Sequence, residues 1–262
     1  MFSSIIAIYR KELQGYFASP FAYAIAGIFW LIAGFFFLSI LFGPQGIIAQ
    51  AAYRDRMGIS EPFDVPYEAL RLFLGTLGSL SLFVLPMLSM NLYTEEKKLG
   101  TLELLATSPV TNWAIALGKL LAVATFYLTM LLPLLVYEVI ALTTSDPPLS
   151  ATLIISGHVG LLLLGTSVLS LGMFVSSLTD KTILAAILTF ALVLFLWVVD
   201  IIAGNLSGVA GEILGHLSLV EHFQNISKGM LDPSSIILFL SYIFLGLFLT
   251  AQSIETFRFQ RY

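Results

Sequence analysis

Residues 91–119 read NLYTEEKKLGTLELLATSPVTNWAIALGK. An apolar run stands on each side of this hydrophilic stretch, at about Leu70–Met90 and Trp113–Leu142. About 20 apolar residues are what a helix needs to cross a bilayer, so the stretch reads as a polar connection between two membrane spans. Four further runs, at about Pro20–Phe42, Ala151–Val175, Thr182–Ala203 and Ser234–Ile254, bring the expected spans to six. Pro133 lies inside the third run, which is longer than a bilayer requires, and predicts a kink or a tilt there. Of the 262 residues 58% are hydrophobic and only 11% charged, where a soluble domain carries roughly 25% charged residues. The expected fold class is all-α: one polytopic membrane domain over residues 1–262, with no room for a soluble domain.

The placement of charge sets an orientation. Six spans put both termini on one side. If that side is the cytoplasm, it holds Arg10, Lys11, Lys97, Lys98, Lys119, Lys181, Arg258 and Arg261, against Arg54, Arg56, Arg71 and Lys228 outside. That bias follows the positive-inside rule and predicts a multi-pass plasma (inner) membrane protein with both termini cytoplasmic. Residues 1–19 then form a cytoplasmic lead-in, 91–112 a cytoplasmic loop, and 43–69 and 204–233 the two sizeable outer segments. In the lead-in, Phe2, Ile5, Ile6, Tyr9, Leu13, Tyr16 and Phe17 recur at helical spacing beside Arg10 and Lys11. An apolar stripe flanked by basic residues suits an interfacial helix, ended by Ser19-Pro20.

Within the loop, Gly100 interrupts the chain, Thr101 is placed to cap a short helix, and Glu103 falls in its first turn, where the helix dipole favours an acid. Leu102, Leu105 and Ala106 share a face. Ser108-Pro109 ends the unit. A helix of two turns is not stable alone, so this one is expected to need support from a partner.

The run Glu95-Glu96-Lys97-Lys98-Leu99-Gly100-Thr101-Leu102-Glu103-Leu104-Leu105, followed by Ser108-Pro109 and Gly118-Lys119, resembles the loop of ABC-2-type permeases, the membrane subunits of type-2 ABC exporters. The resemblance is closest to the branch of the gliding-motility-associated and copper-processing permeases. Arg10-Lys11-Glu12-Leu13 with Ser19-Pro20, GMFVSSLTD at 172–180 and HFQNISKGMLD at 222–232 agree with it in order. The resemblance implies that the loop is a coupling helix seated in a separate ATPase subunit, with contacts on Glu95, Glu96, Gly100, Thr101, Leu102, Glu103, Leu104 and Leu105. It also implies a second permease, as a homodimer or a related chain, in a lipid membrane, and no nucleic-acid partner. ATP and Mg would be bound by the partner ATPase, with no cofactor in this chain. Short re-entrant helices are implied for 204–233, where Leu206, Val209, Ile213, Leu217 and Val220 have helical spacing.

Other functional classes fit less well. Gly118-Lys119 lacks the upstream glycine and following Ser/Thr of a phosphate-binding loop. His158, His216 and His222 have no zinc-motif neighbours, and the absence of cysteine excludes thiolate sites. An ion-coupled transporter or a membrane scaffold is the alternative. Ion coupling would call for ionisable groups deep in the membrane, and the candidates are Glu138, His158 and Asp200. All three are expected toward the outer ends of their spans, where they could form an outer polar vestibule. For want of a phosphate-binding loop, the purified chain is expected to hydrolyse no ATP in a phosphate-release assay, and turnover by the homogeneous protein would contradict this reading.

Overall fold

A computed structural model describes residues 2–59, 63–102, 110–143, 145, 148–205, 215–230 and 232–259. Their helices, in chain order, are α1 Phe2–Ala18, α2 Pro20–Phe42, α3 Ile47–Arg56, α4 Val65–Ser89, α5 Asn91–Lys98, α6 Asn112–Thr143, α7 Ala151–Leu178, α8 Thr182–Asn205, α9 Leu219–Ser227 and α10 Pro233–Phe259. Among the described residues there is no strand. Six stretches are long and apolar enough to cross a membrane, and they centre on α2, α4, α6, α7, α8 and α10.

The helix starts follow local chemistry. Ser19 caps α2, its Oγ accepting from Ala22 N at 3.4 Å, with Pro20 in the first turn where no amide is needed. Asp64 caps α4 in the same manner, accepting from Tyr67 N at 3.0 Å. Pro133 lies within α6 without ending it.

α7 is the central helix, packed against α4, α6, α8, α9 and α10. Its sequence explains why. In lipid there is no hydrophobic drive between helices, so close approach at small residues and hydroxyl hydrogen bonds hold a bundle together. Gly165 of α7 faces the Tyr127 ring of α6, Gly157 faces Leu74 of α4, and Gly172 faces Ser89 of α4. Ser167 and Ser170 donate across to the Phe239 and Tyr242 carbonyls of α10, at 3.1 and 3.2 Å. Ser81 of α4 and Tyr127 share a hydrogen bond of 2.7 Å. By contrast, α2 and α8 leave most of their apolar surface uncovered.

α9 lies in the segment expected to hold re-entrant helices. It is capped by Ser218, which accepts from Glu221 N at 2.9 Å, and it buries Leu219, Phe223 and Ile226. Phe223 packs on Gly78 of α4 and Ile226 on Gly160 of α7. His222 meets Ser235 of α10 at 2.8 Å. Leu206, Val209 and Ile213 lie outside the described residues.

In the lead-in helix part of the apolar stripe is covered by protein. Ile8, Leu13 and Tyr16 pack into the core, and Tyr16 stacks on Phe126 of α6 with centroids 5.2 Å apart. Phe2, Ile6 and Phe17 stay exposed. Periodicity marks a face as apolar without saying what covers it, and here α6 takes part of that face. Gly118 permits this, since a Cβ there would come within 2.8 Å of Ile8.

A Cβ added at Gly246 of α10 would sit 2.6 Å from the Ser170 carbonyl oxygen, a backbone atom that cannot swing aside. Gly246→Ala is therefore expected to destabilise the bundle by about 1–3 kcal/mol. Gly27→Ala, which meets nothing within 4 Å, should leave thermal unfolding of the solubilised protein unchanged.

Candidate functional site

The polar loop begins as a continuation of α4. Met90 keeps helical angles between α4 and α5, and Ser176 of α7 inserts at this junction. Its Oγ donates to Met90 O at 2.8 Å and accepts from Tyr93 N at 3.0 Å and Thr94 N at 3.3 Å. α5 then closes with Leu99 N donating to Glu95 O at 2.9 Å and Gly100 N to Lys97 O at 3.1 Å. Gly100 has φ +70°, the left-handed conformation that glycine supplies after a helix end. Thr101 Oγ1 donates backward to Glu96 O at 3.3 Å and Leu102 is helical, while the following residues that Thr101 is expected to cap lie outside the described residues.

The adjacent Glu95 and Glu96 have different surroundings. Glu95 is exposed. Glu96 turns inward, and its Oε1 lies 3.0 Å from Lys119 Nζ of α6. The same ammonium is 3.0 Å from Glu12 Oε1 of α1 and 5.0 Å from the Tyr93 ring centroid. Lys11 completes the group, 3.5 Å from each carboxylate. Two lysines and two glutamates thus join α1, α5 and α6, with Lys119 only 2% exposed at their centre. Partial burial disfavours the Lys11 ammonium, but Glu12 and Glu96 outweigh it and hold its pKa above the ordinary lysine value. A raised lysine pKa contributes stability below the unfolded value and loses it only as pH rises through the folded one, so the Lys11 contribution is present at neutral pH.

Leu102 does not point to solvent. It is 5% exposed and belongs to the hydrophobic core, because the turn at Gly100 folds the chain back onto the bundle. Leu99, with no role in the motif reading, is 74% exposed, beside exposed Lys98, Gly100 and Thr101. Glu103, Leu104 and Leu105 lie outside the described residues.

Of the three residues expected to form an outer vestibule, Glu138, His158 and Asp200, the structure brings two together. Glu138 of α6 and His158 of α7 approach to 3.8 Å between Oε1 and Nε2. They are 0% and 6% exposed, so they form a closed contact inside the bundle and do not line an open vestibule. His158 Nδ1 pairs with the Ile154 carbonyl of its own helix at 3.1 Å. Both Glu138 oxygens and His158 Nε2 have no hydrogen-bond partner among the described residues. Asp200 lies on α8, with its side chain outside the described residues.

Sequence reasoning missed Glu12 and Lys119 as partners. A signal was present: a lysine well inside a membrane-spanning run demands a counter-charge, and the glycine before it marks a close helix approach.

The sequence matches the ABC-2 family transporter protein family over residues 59–253, more than half of the chain. The protein belongs to this family and is a membrane permease subunit of an ABC transporter. No curated protein matches it.

Removing one partner of a buried ion pair costs about 3–5 kcal/mol, because the other charges stay buried. Lys119→Met is expected to lower the thermal unfolding midpoint strongly. Adding Glu12→Gln and Glu96→Gln to that variant should recover much of the loss, as a coupled network requires.

Proposed function

We propose that this permease is driven by ATP hydrolysed on a separate ATPase subunit, which docks on the tip of α5 and the loop behind it. The observation that carries the proposal is the Glu12–Lys119–Glu96 cluster. A solvent-facing tip, Lys98 to Thr101, is mounted on a helix whose inner side is locked to α1 and to the start of α6. A push on the tip is then passed to a membrane-spanning helix rather than absorbed by a loose loop. The contact surface is Glu95, Gly100 and Thr101 together with Glu103, Leu104 and Leu105. Glu96 and Leu102 support it from within.

ATP and Mg belong to the partner. The working assembly is two permeases over two ATPases, in the plasma membrane with both termini cytoplasmic and export as the direction. The excess of Lys and Arg on the α5 side supports the orientation. The uncovered apolar faces of α2 and α8 leave room for lipid and for a second permease.

One observation favours an ion-coupled carrier instead. Glu138 and His158 are a buried, under-bonded ionisable pair of the kind that ion-coupled carriers place in their spans. In the ATP-driven reading the pair is a polar point on the exit side of the path, closed in this conformation.

Capture of the co-expressed ATPase by solubilised permease separates the readings. Leu99→Asp changes an exposed side chain, so folding should be unaffected. If Leu99 is buried against the ATPase, loss of its burial, about 1.5–3 kcal/mol, lowers capture by at least roughly tenfold. Full capture by a well-folded Leu99→Asp variant would remove the docking surface from α5, and transport that persists without any ATPase would favour the ion-coupled reading.

A further inference from the structure

A second feature at the α5 end of the bundle is a cleft between α1, α2, α4 and α5, with room of about 180 Å³. Its floor is apolar, formed by Phe21, Ala22, Ile25, Met87 and Leu88, and its polar side is Glu12, Asn91 and Glu95. Among the described residues no lysine or arginine lines it. Glu12 is already engaged by Lys119 and Lys11, but Glu95 makes no ion pair among the described residues. Asn91 Oδ1 is buried without a hydrogen-bond partner among the described residues. Tyr16, also in the lining, spends its hydroxyl proton on Leu88 O at 2.8 Å. Burial first, and then the Glu12 and Glu95 carboxylates, push its phenol well above the ordinary value, so both acids act on the same space.

This balance of groups selects a guest. The Glu95 carboxylate and the unsatisfied Asn91 carbonyl oxygen ask for a positively charged hydrogen-bond donor. The apolar floor runs between α2 and α4, which are membrane spans, so the guest also carries hydrocarbon. The N-terminal turn of α2, capped by Ser19, borders the cleft as well, and its dipole suits an anionic group beside the cation. An ammonium next to a phosphate, on an acyl chain, meets all three conditions.

We propose that this cleft binds the headgroup of an aminophospholipid of phosphatidylethanolamine type, with its primary ammonium on Glu95 and Asn91 and the start of its acyl chain along Ile25 and Met87. The lipid wedges between the lead-in helix and the α4–α5 junction, next to the charge cluster. Only its assignment to the cytoplasmic leaflet rests on the proposed orientation. Binding itself does not depend on the ATPase.

The test uses the full-length permease without ATPase, in mixed micelles holding equal amounts of dioleoyl phosphatidylethanolamine and dioleoyl phosphatidylcholine. Lipid retained through size-exclusion chromatography is quantified by mass spectrometry. The trimethylammonium of phosphatidylcholine has no N–H to donate, so the ethanolamine lipid should be retained about tenfold more, the effect of one charge-assisted hydrogen bond. Glu95→Gln should reduce this preference. Gly15→Leu should abolish it, because Gly15 lines the cleft and a Cβ there meets nothing within 4 Å, so the added side chain starts into open space, with the size-exclusion profile as the check on folding. Equal retention of the two lipids would overturn the proposal, as would an undiminished preference in well-folded Gly15→Leu. If no lipid preference appears but Glu95→Gln weakens ATPase capture, the cleft receives a basic side chain of the partner, and the lipid proposal fails while the docking reading stands.

Discussion

The Lys119 ammonium has left water at the point where three helices meet, and among the described residues the Glu12 and Glu96 carboxylates, with the Tyr93 ring, make that position tolerable. A charge with no solvent must be matched locally, so α1, α5 and α6 are held to one arrangement. Those carboxylates are brought together by fitted backbone contacts: Gly118 admits α1 onto α6, and Ser176 anchors the α4–α5 junction to α7. The described part of the polar loop, Asn91 to Leu102, is therefore fixed to the bundle, with Leu99 to Thr101 left exposed.

The membrane interior follows a different rule. There α7 collects its neighbours through glycines and serines, where backbones approach closely and hydroxyls donate to carbonyls of the next helix. Against this well-satisfied background Glu138 and His158 stand out as two ionisable groups facing each other with acceptor capacity unused. Both ends of α6 thus carry a buried ionisable residue, Lys119 near one end and Glu138 near the other. Lys119 has two carboxylate partners and Glu138 has no hydrogen-bond partner among the described residues, so α6 is held firmly at its first end.

How much of this was legible beforehand depended on the kind of constraint. The six spans were, because bilayer thickness alone dictates their length and lipid demands their composition. The break at Ser19-Pro20 was legible from proline's fixed geometry, as was the helix stop at Gly100. The four-charge cluster was not, since Glu12 and Lys119 lie 107 positions apart and no local periodicity links them. Leu102 misled for a related reason. It suits the outward face of a short helix, but the Gly100 turn directs it into the core. Glu138 and His158 were picked out as unusual residues, yet their contact comes from the packing of α6 on α7, which hydropathy does not encode.

The central claim is that α1, α5 and α6 move as one body when the partner ATPase acts. Gln14 of α1 and Lys98 of α5 are exposed, and the chain has no native cysteine, so spin labels at Gln14→Cys and Lys98→Cys report the α1–α5 distance by pulsed electron resonance. With the ATPase bound, the account predicts one narrow distance distribution that is the same with and without nucleotide, and a broad one when Lys119→Met is added. A distance that shifts with nucleotide while Lys119 is intact would show that the loop moves apart from the lead-in helix, and the rigid coupling would be wrong.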